Sequence, residues 1–139
     1  MSSEAFFTID WQDGAVVMID QRKLPTREVY RTYRDYRGVA RAITDMVIRG
    51  APAIGVAAAM GIALAARQLK RIANPTEFER VCLVFAGTRP TAVNLFWAID
   101  RMTKCYRRFH SQGRDVLMAR LEQEALKIRG EDVAANRRM

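Results

Sequence analysis

From Ala51 to Ala66 the chain runs sixteen residues without a charge, built mostly from alanine and glycine. Few folds accommodate such a segment. It is short of the roughly 20 residues that cross a bilayer, so it is expected to be a buried helix rather than a membrane span. Small side chains at Gly55, Ala58, Ala59 and Ala65, with Ile62 among them, let neighbouring helices approach closely. The segment is introduced by Ile48-Arg49-Gly50-Ala51-Pro52. Pro52 has no N–H to waste and suits the first helical position. The free N–H groups of that turn, the helix dipole and the Arg49 guanidinium together make an anion cradle, with a phosphate as the expected guest. A second segment of the same design, Thr88-Arg89-Pro90-Thr91-Ala92-Val93-Asn94, follows about forty residues later. There Pro90 or Thr91 is expected to open a helix, with Arg89 beside its start and Asn94 one turn on.

The remaining pattern places elements on both sides of the central helix. Phe6–Trp11 and Val16–Ile19 flank Asp13-Gly14, a hairpin signal. Arg27–Tyr33 reads as a third strand. Val39, Ala42, Ile43, Met46 and Val47 then recur at helical spacing, with Gly50 as the natural stop. The central helix is expected to end between Leu69 and Ile72. Asn74-Pro75 breaks the chain, and Thr76 with Glu79 forms a capping-box signature for a helix carrying Phe78, Val81, Cys82 and Phe85. The next helix has Val93, Phe96, Trp97, Ile99 and Met102 as its apolar positions and is broken at Gly113. A last one begins near Arg114, with Val116, Leu117, Leu121, Ala125 and Ile128 inward. The fold class is therefore α+β and mostly α. One domain spans 1–139, with a small antiparallel sheet in 1–35 and a bundle of about five helices in 36–139. The segment 134–139 shows no glycine stop and no polar tail, as if the chain broke off within a helix.

The net charge of +8 admits nucleic acid, an acidic surface, an anionic substrate or simply a solvated basic surface. Tyr30, Arg31, Tyr33, Arg34, Tyr36 and Arg37 interleave aromatics with cations, which suits base stacking, but nothing else in the chain resembles an RNA-binding module. The Arg101, Lys104, Arg107, Arg108 series reads as a solvated helical face, and Glu122-Gln123-Glu124 and Glu131-Asp132 as exposed helix surface. Cys82 and Cys105 are too far apart for a C-x-x-C motif, and His110 is the one histidine, so no metal site and no cofactor are expected. Both thiols are expected to be buried and reduced, as in a cytoplasm. Met1-Ser2-Ser3-Glu4 lacks the basic region and apolar core of a signal peptide. No catalytic constellation stands out.

Four segments carry a family resemblance: Asp20-Gln21-Arg22-Lys23-Leu24-Pro25, the run from Asp45 to Ala59, the run from Thr88 to Ala98, and Glu131-Asp132-Val133-Ala134-Ala135-Asn136-Arg137. On these the chain, from about Ile9 to Arg137, resembles the N-terminal part of the S-methyl-5-thioribose-1-phosphate isomerase family. The resemblance implies an aldose–ketose isomerase of methionine salvage, converting 5-methylthioribose 1-phosphate to 5-methylthioribulose 1-phosphate. An ester on the anomeric carbon hinders ring-opening, so such a site must protect the phosphate while hydrogen moves between neighbouring carbons. Position by position, the resemblance implies substrate contacts at Arg49, Gly50, Ala51 and Arg89, the residues that the helix-terminus argument selects. It also implies a Rossmann-like domain that supplies the catalytic cysteine and aspartate and most of a homodimer contact. Neither catalytic motif lies in this sequence, and Cys82 and Cys105 do not match the catalytic one. Met60 stands where many members have tyrosine. The chain is thus expected to be a fragment, inactive alone, with an apolar face left for the missing domain. The resemblance extends to the alpha, beta and delta subunits of the translation-initiation exchange factor and to ribose-1,5-bisphosphate isomerase, which remain alternatives.

Overall fold

The computed structural model of the chain describes residues 8–137, with side chains described up to residue 132. Phe6 and Phe7 of the expected hairpin, and the side chains of 133–139, lie outside the described residues. Three strands, β1 (Ile9–Gln12), β2 (Ala15–Ile19) and β3 (Tyr30–Tyr33), precede five helices: α1 (Tyr36–Thr44), α2 (Ala51–Gln68), α3 (Pro75–Ala86), α4 (Val93–Phe109) and α5 (Arg114–Arg137). The sheet is antiparallel in the order β1-β2-β3, with Gln12 opposite Ala15 and Val16 opposite Tyr33. Asp13 and Gly14 take φ values of +52° and +71°, as a two-residue turn matched to strand twist requires.

Helix α2 is the axis of the molecule. Every residue from Ile54 to Ala66 is buried, and α1, α4 and α5 all pack on it. By length and a mean hydropathy of 1.3 it could cross a membrane, but 72% of it is already enclosed by its neighbours. Its glycines are contact points. A Cβ at Gly61 would run into the Phe85 ring, and one at Gly55 would sit 3.0 Å from the Asn94 carbonyl oxygen. Polar side chains close the ends. Gln68 accepts from the Tyr36 N–H at 2.9 Å, Arg114 donates to the Arg67 carbonyl at 2.7 Å, and Tyr106 donates to the Ile72 carbonyl at 2.8 Å.

Several boundaries differ from the expectation. Helix α1 stops at Thr44 rather than running on to Gly50, because Met46 adopts φ +64°. Val47 N–H then reaches back to the Ala42 carbonyl and Met46 N–H to Ile43, a Schellman closure with methionine in the position glycine usually takes. Gly50 belongs to the next helix as its N-cap, which places Pro52 second in α2 rather than first. Asn74, not Thr76, caps α3: its side chain accepts from the Thr76 N–H. Helix α4 begins at Val93 after a turn closed by the Ala92 N–H on the Arg89 carbonyl, so neither Pro90 nor Thr91 opens it. Its inward stripe is Leu95, Ala98, Met102, Cys105 and Tyr106, whereas Val93, Phe96 and Trp97 face out. Val116 of α5 is likewise exposed.

Candidate functional site

Arg49 is held by its neighbours in sequence. Val47 and Ile48 are buried, and the Val47 carbonyl accepts from the Gln21 N–H at 2.8 Å. That bond ties the α1–α2 linker to the turn after β2. The turn is itself fixed by Asp20, a fully buried carboxylate that accepts from the Arg22 N–H and from the guanidinium groups of Arg22 and Arg31 at 2.8–3.0 Å. Arg22 first, then Arg31, holds this carboxyl far below the usual carboxylate range, against the opposing pull of burial. Arg49 therefore leaves an anchored linker. Its own side chain is exposed and makes no hydrogen bond or ion pair with the described residues.

The start of α2 is bare. Gly50 has φ +98° and no side chain caps the helix. The first helical hydrogen bond runs from the Ile54 N–H to the Gly50 carbonyl. The N–H groups of Ala51 and Ala53 therefore precede the ladder without an intrahelical partner, and Pro52 has none to offer. A Cβ at Gly50 would meet nothing within 4 Å. Glycine is needed there for its backbone angle, and the space in front of the helix end is open.

Arg89 lies in the turn between α3 and α4, half-buried. Its Nη1 is the only buried side-chain nitrogen or oxygen among the described residues without a hydrogen-bond partner. A buried donor left unpaired costs about 1–3 kcal/mol, so this one calls for an acceptor. Thr88 does not belong to α4; its hydroxyl donates to the Phe85 carbonyl at the end of α3. Asn94 is in the first turn of α4, with its carbonyl against Gly55. It helps line a cleft of about 180 Å³ with Pro52, Gly55, Val56, Trp97, Ile128, Glu131 and Asp132. The structure thus joins Asn94 to the beginning of α2. Neither Arg49 nor Arg89 lines that cleft; they stand on the two loops that enter its helices.

Sequence reasoning missed the acidic side of this region. Arg101, read as part of a solvated face, is 19% exposed and bonds to Glu124 and, with both terminal nitrogens, to Glu131, all at 2.6 Å. Glu131 foremost, then Glu124, raises the arginine's pKa. Glu124 and Glu131 are seven residues apart, hence on one helical face, and that spacing was the available signal. Asp132, taken as surface, is half-buried, and desolvation raises its pKa. The Tyr30–Arg37 segment is largely spent on structure: Arg31 binds Asp20, Tyr33 packs on the core and Tyr36 is buried.

The arrangement can hold an anion, but it offers little for moving protons. Burial pushes the thiols of Cys82 and Cys105 up to about 11. Cys82 is half-buried beside the Thr103 hydroxyl, and Cys105 donates to the Arg120 carbonyl. His110 is stacked on Tyr106.

Residues 47–139 match the initiation factor 2 subunit family. The chain is 52% identical over 135 residues to a methylthioribose-1-phosphate isomerase of Trichlorobacter lovleyi, covering 94% of this chain and 38% of that protein. It is 54% identical over 134 residues to the enzyme of the same name from Geobacter sulfurreducens, covering 93% and 38%. Among solved structures it superposes on 5-methylthioribose 1-phosphate isomerase from Pyrococcus horikoshii with a TM-score of 0.87 at 40% identity, over 93% of this chain and 37% of that one. It also superposes on the translation initiation factor eIF-2B delta subunit from A. fulgidus, with a TM-score of 0.78 at 37% identity, over 91% and 37%. The chain spans less than two fifths of the length of these relatives.

Proposed function

The chain belongs to the initiation factor 2 subunit family, and from that premise we propose that it is the phosphate-gripping N-terminal domain of a 5-methylthioribose-1-phosphate isomerase of methionine salvage. The observation that carries this reading is the bare start of α2, where Arg49, the positive-φ Gly50 and the unpaired N–H of Ala51 face open space. A dianionic phosphate satisfies that end electrostatically and by hydrogen bonding. The orphaned Arg89 nitrogen supports a second charged contact. Gripping the phosphate keeps the ester intact while hydrogen moves on the sugar. The residues that move it are assigned to a catalytic cysteine and aspartate outside this chain, in a Rossmann-like domain, and the whole enzyme to a homodimer. The exchange-factor alternative has the second solved structure in its favour; a ribose-1,5-bisphosphate isomerase would use the same phosphate grip.

Calorimetric titration of the chain tests the proposal. Methylthioribose 1-phosphate is expected to bind and unphosphorylated methylthioribose not. Arg49→Ala and Arg89→Ala should each weaken binding roughly tenfold or more, the loss of one charge-assisted contact. The purified chain should show no isomerisation. Binding of an initiation factor without affinity for the sugar phosphate would favour the exchange-factor reading instead.

A further inference from the structure

Helices α3 and α4 enclose a cavity of about 390 Å³ between them. Two contacts at its floor set their register. The Phe78 and Tyr106 rings stack with centroids 3.8 Å apart, and the Cys82 thiol lies 3.9 Å from the Thr103 hydroxyl. Residue numbers rise along α3 as they fall along α4, so the helices are antiparallel here. Glu79 and Arg107, each next in sequence after a stacked ring, therefore stand on opposite walls at the mouth. Both are exposed, and neither makes a hydrogen bond or ion pair with the described residues. Two opposite charges thus line one cavity without reaching each other. The floor is fixed and its polar groups are spent. The Tyr106 hydroxyl donates to the Ile72 carbonyl at 2.8 Å, and the Thr103 hydroxyl to the Ile99 carbonyl at 2.7 Å. Tyr106 is also stacked on His110, 5.1 Å away on centroids. Burial pushes the Cys82 thiol up to about 11, so it is a neutral, soft surface at pH 7.

A guest that matches this cavity carries an apolar body and two opposite charges. An ammonium meets the Glu79 carboxylate, and a carboxylate meets the Arg107 guanidinium, whose planar fork suits it. The volume is that of a small-molecule site, for which about 300–1,000 Å³ is usual. We propose that the α3–α4 cavity binds a zwitterionic α-amino acid with an apolar side chain, its ammonium on Glu79, its carboxylate on Arg107 and its side chain against Phe78 and Cys82. The site is separate from the phosphate cradle and does not depend on that reading. Along α4, Tyr106 lies about 18 Å from Asn94, the helix's contact with the beginning of α2.

Amide chemical-shift mapping of the isotopically labelled chain, with L-phenylalanine and L-leucine as probes, tests the proposal. At least one is expected to give saturable shifts in residues 78–83 and 103–110, with residues 49–53 unmoved. For the tighter of the two, the analogue without the amino group and the analogue without the carboxyl group should each bind roughly tenfold more weakly or worse, the loss of one charge-assisted contact. For phenylalanine these are 3-phenylpropionate and phenethylamine, and for leucine 4-methylpentanoate and 3-methylbutylamine. Glu79→Gln should abolish the preference for the amino acid over its deaminated analogue, and Arg107→Gln the preference over its decarboxylated one. Both side chains are exposed at the mouth, so both variants should unfold at the parent's midpoint. The proposal is overturned if neither amino acid gives saturable shifts in the cavity. It is equally overturned if the parent binds either analogue as tightly as the amino acid, or if the two variants keep the parent's preferences.

Discussion

Asp20 is the one fully buried charge among the described residues, and it fixes the linker from which Arg49 leaves. Replacing Asp20 by Asn removes the charge that Arg22 and Arg31 converge on, and urea denaturation near pH 7 should show a loss of roughly 2 kcal/mol. The sign with pH follows from the depressed folded pKa. The contribution is fully present above the unfolded value of about 4, and it is lost as pH falls from there toward the lower folded value. The gap between wild type and Asp20→Asn should therefore shrink between about pH 5 and pH 2. Met46 works in the opposite sense. It holds φ +64° at the end of α1 and is 41% exposed. Met46→Gly relieves a conformation that costs an L-residue about 1 kcal/mol. It should raise the unfolding free energy read from urea denaturation by a comparable amount, because little packing is lost.

At the scale of elements, α2 was legible because its uncharged run allows only a buried helix. Its glycines are legible in retrospect as contacts, Gly61 with Phe85 and Gly55 with Asn94. Gly61→Ala should destabilise the fold by about 1–3 kcal/mol through overpacking, read by thermal unfolding. Gly130, where a Cβ meets nothing within 4 Å, is the control and should tolerate alanine. The hairpin turn at Asp13-Gly14 and the existence of the five helices follow directly from local pattern. The buried face of α4 does not. Val93, Phe96 and Trp97 form a convincing i, i+3, i+4 stripe, yet the helix buries the face of Leu95, Ala98, Met102 and Cys105. Periodicity identifies two apolar stripes there and cannot say which meets α2. The close approach of α4 to Gly55 decides it. The end of α1 was missed for a different reason, since a left-handed methionine carries no compositional signal.

At the scale of the whole molecule, the cationic side of the candidate site was legible and the acidic side was not. Arg49-Gly50-Ala51 and Arg89 stand out locally, as a cation and small residues before helices. The structure refines them: the α2 start is an uncapped glycine, and Arg89 sits one turn ahead of α4 with a buried nitrogen unpaired. The partial burial of Asp132 gave no local sign, because it depends on α5 crossing the beginnings of α2 and α4, elements distant from it in sequence. The central claim, that the beginning of α2 grips a phosphate, is tested most directly by amide chemical-shift mapping of the isotopically labelled chain with inorganic phosphate. The account predicts saturable shifts centred on the N–H groups of Gly50, Ala51 and Ala53, abolished by Arg49→Ala. Shifts confined to the basic surface of Lys104, Arg107 and Arg108, with residues 49–53 unmoved, would contradict it.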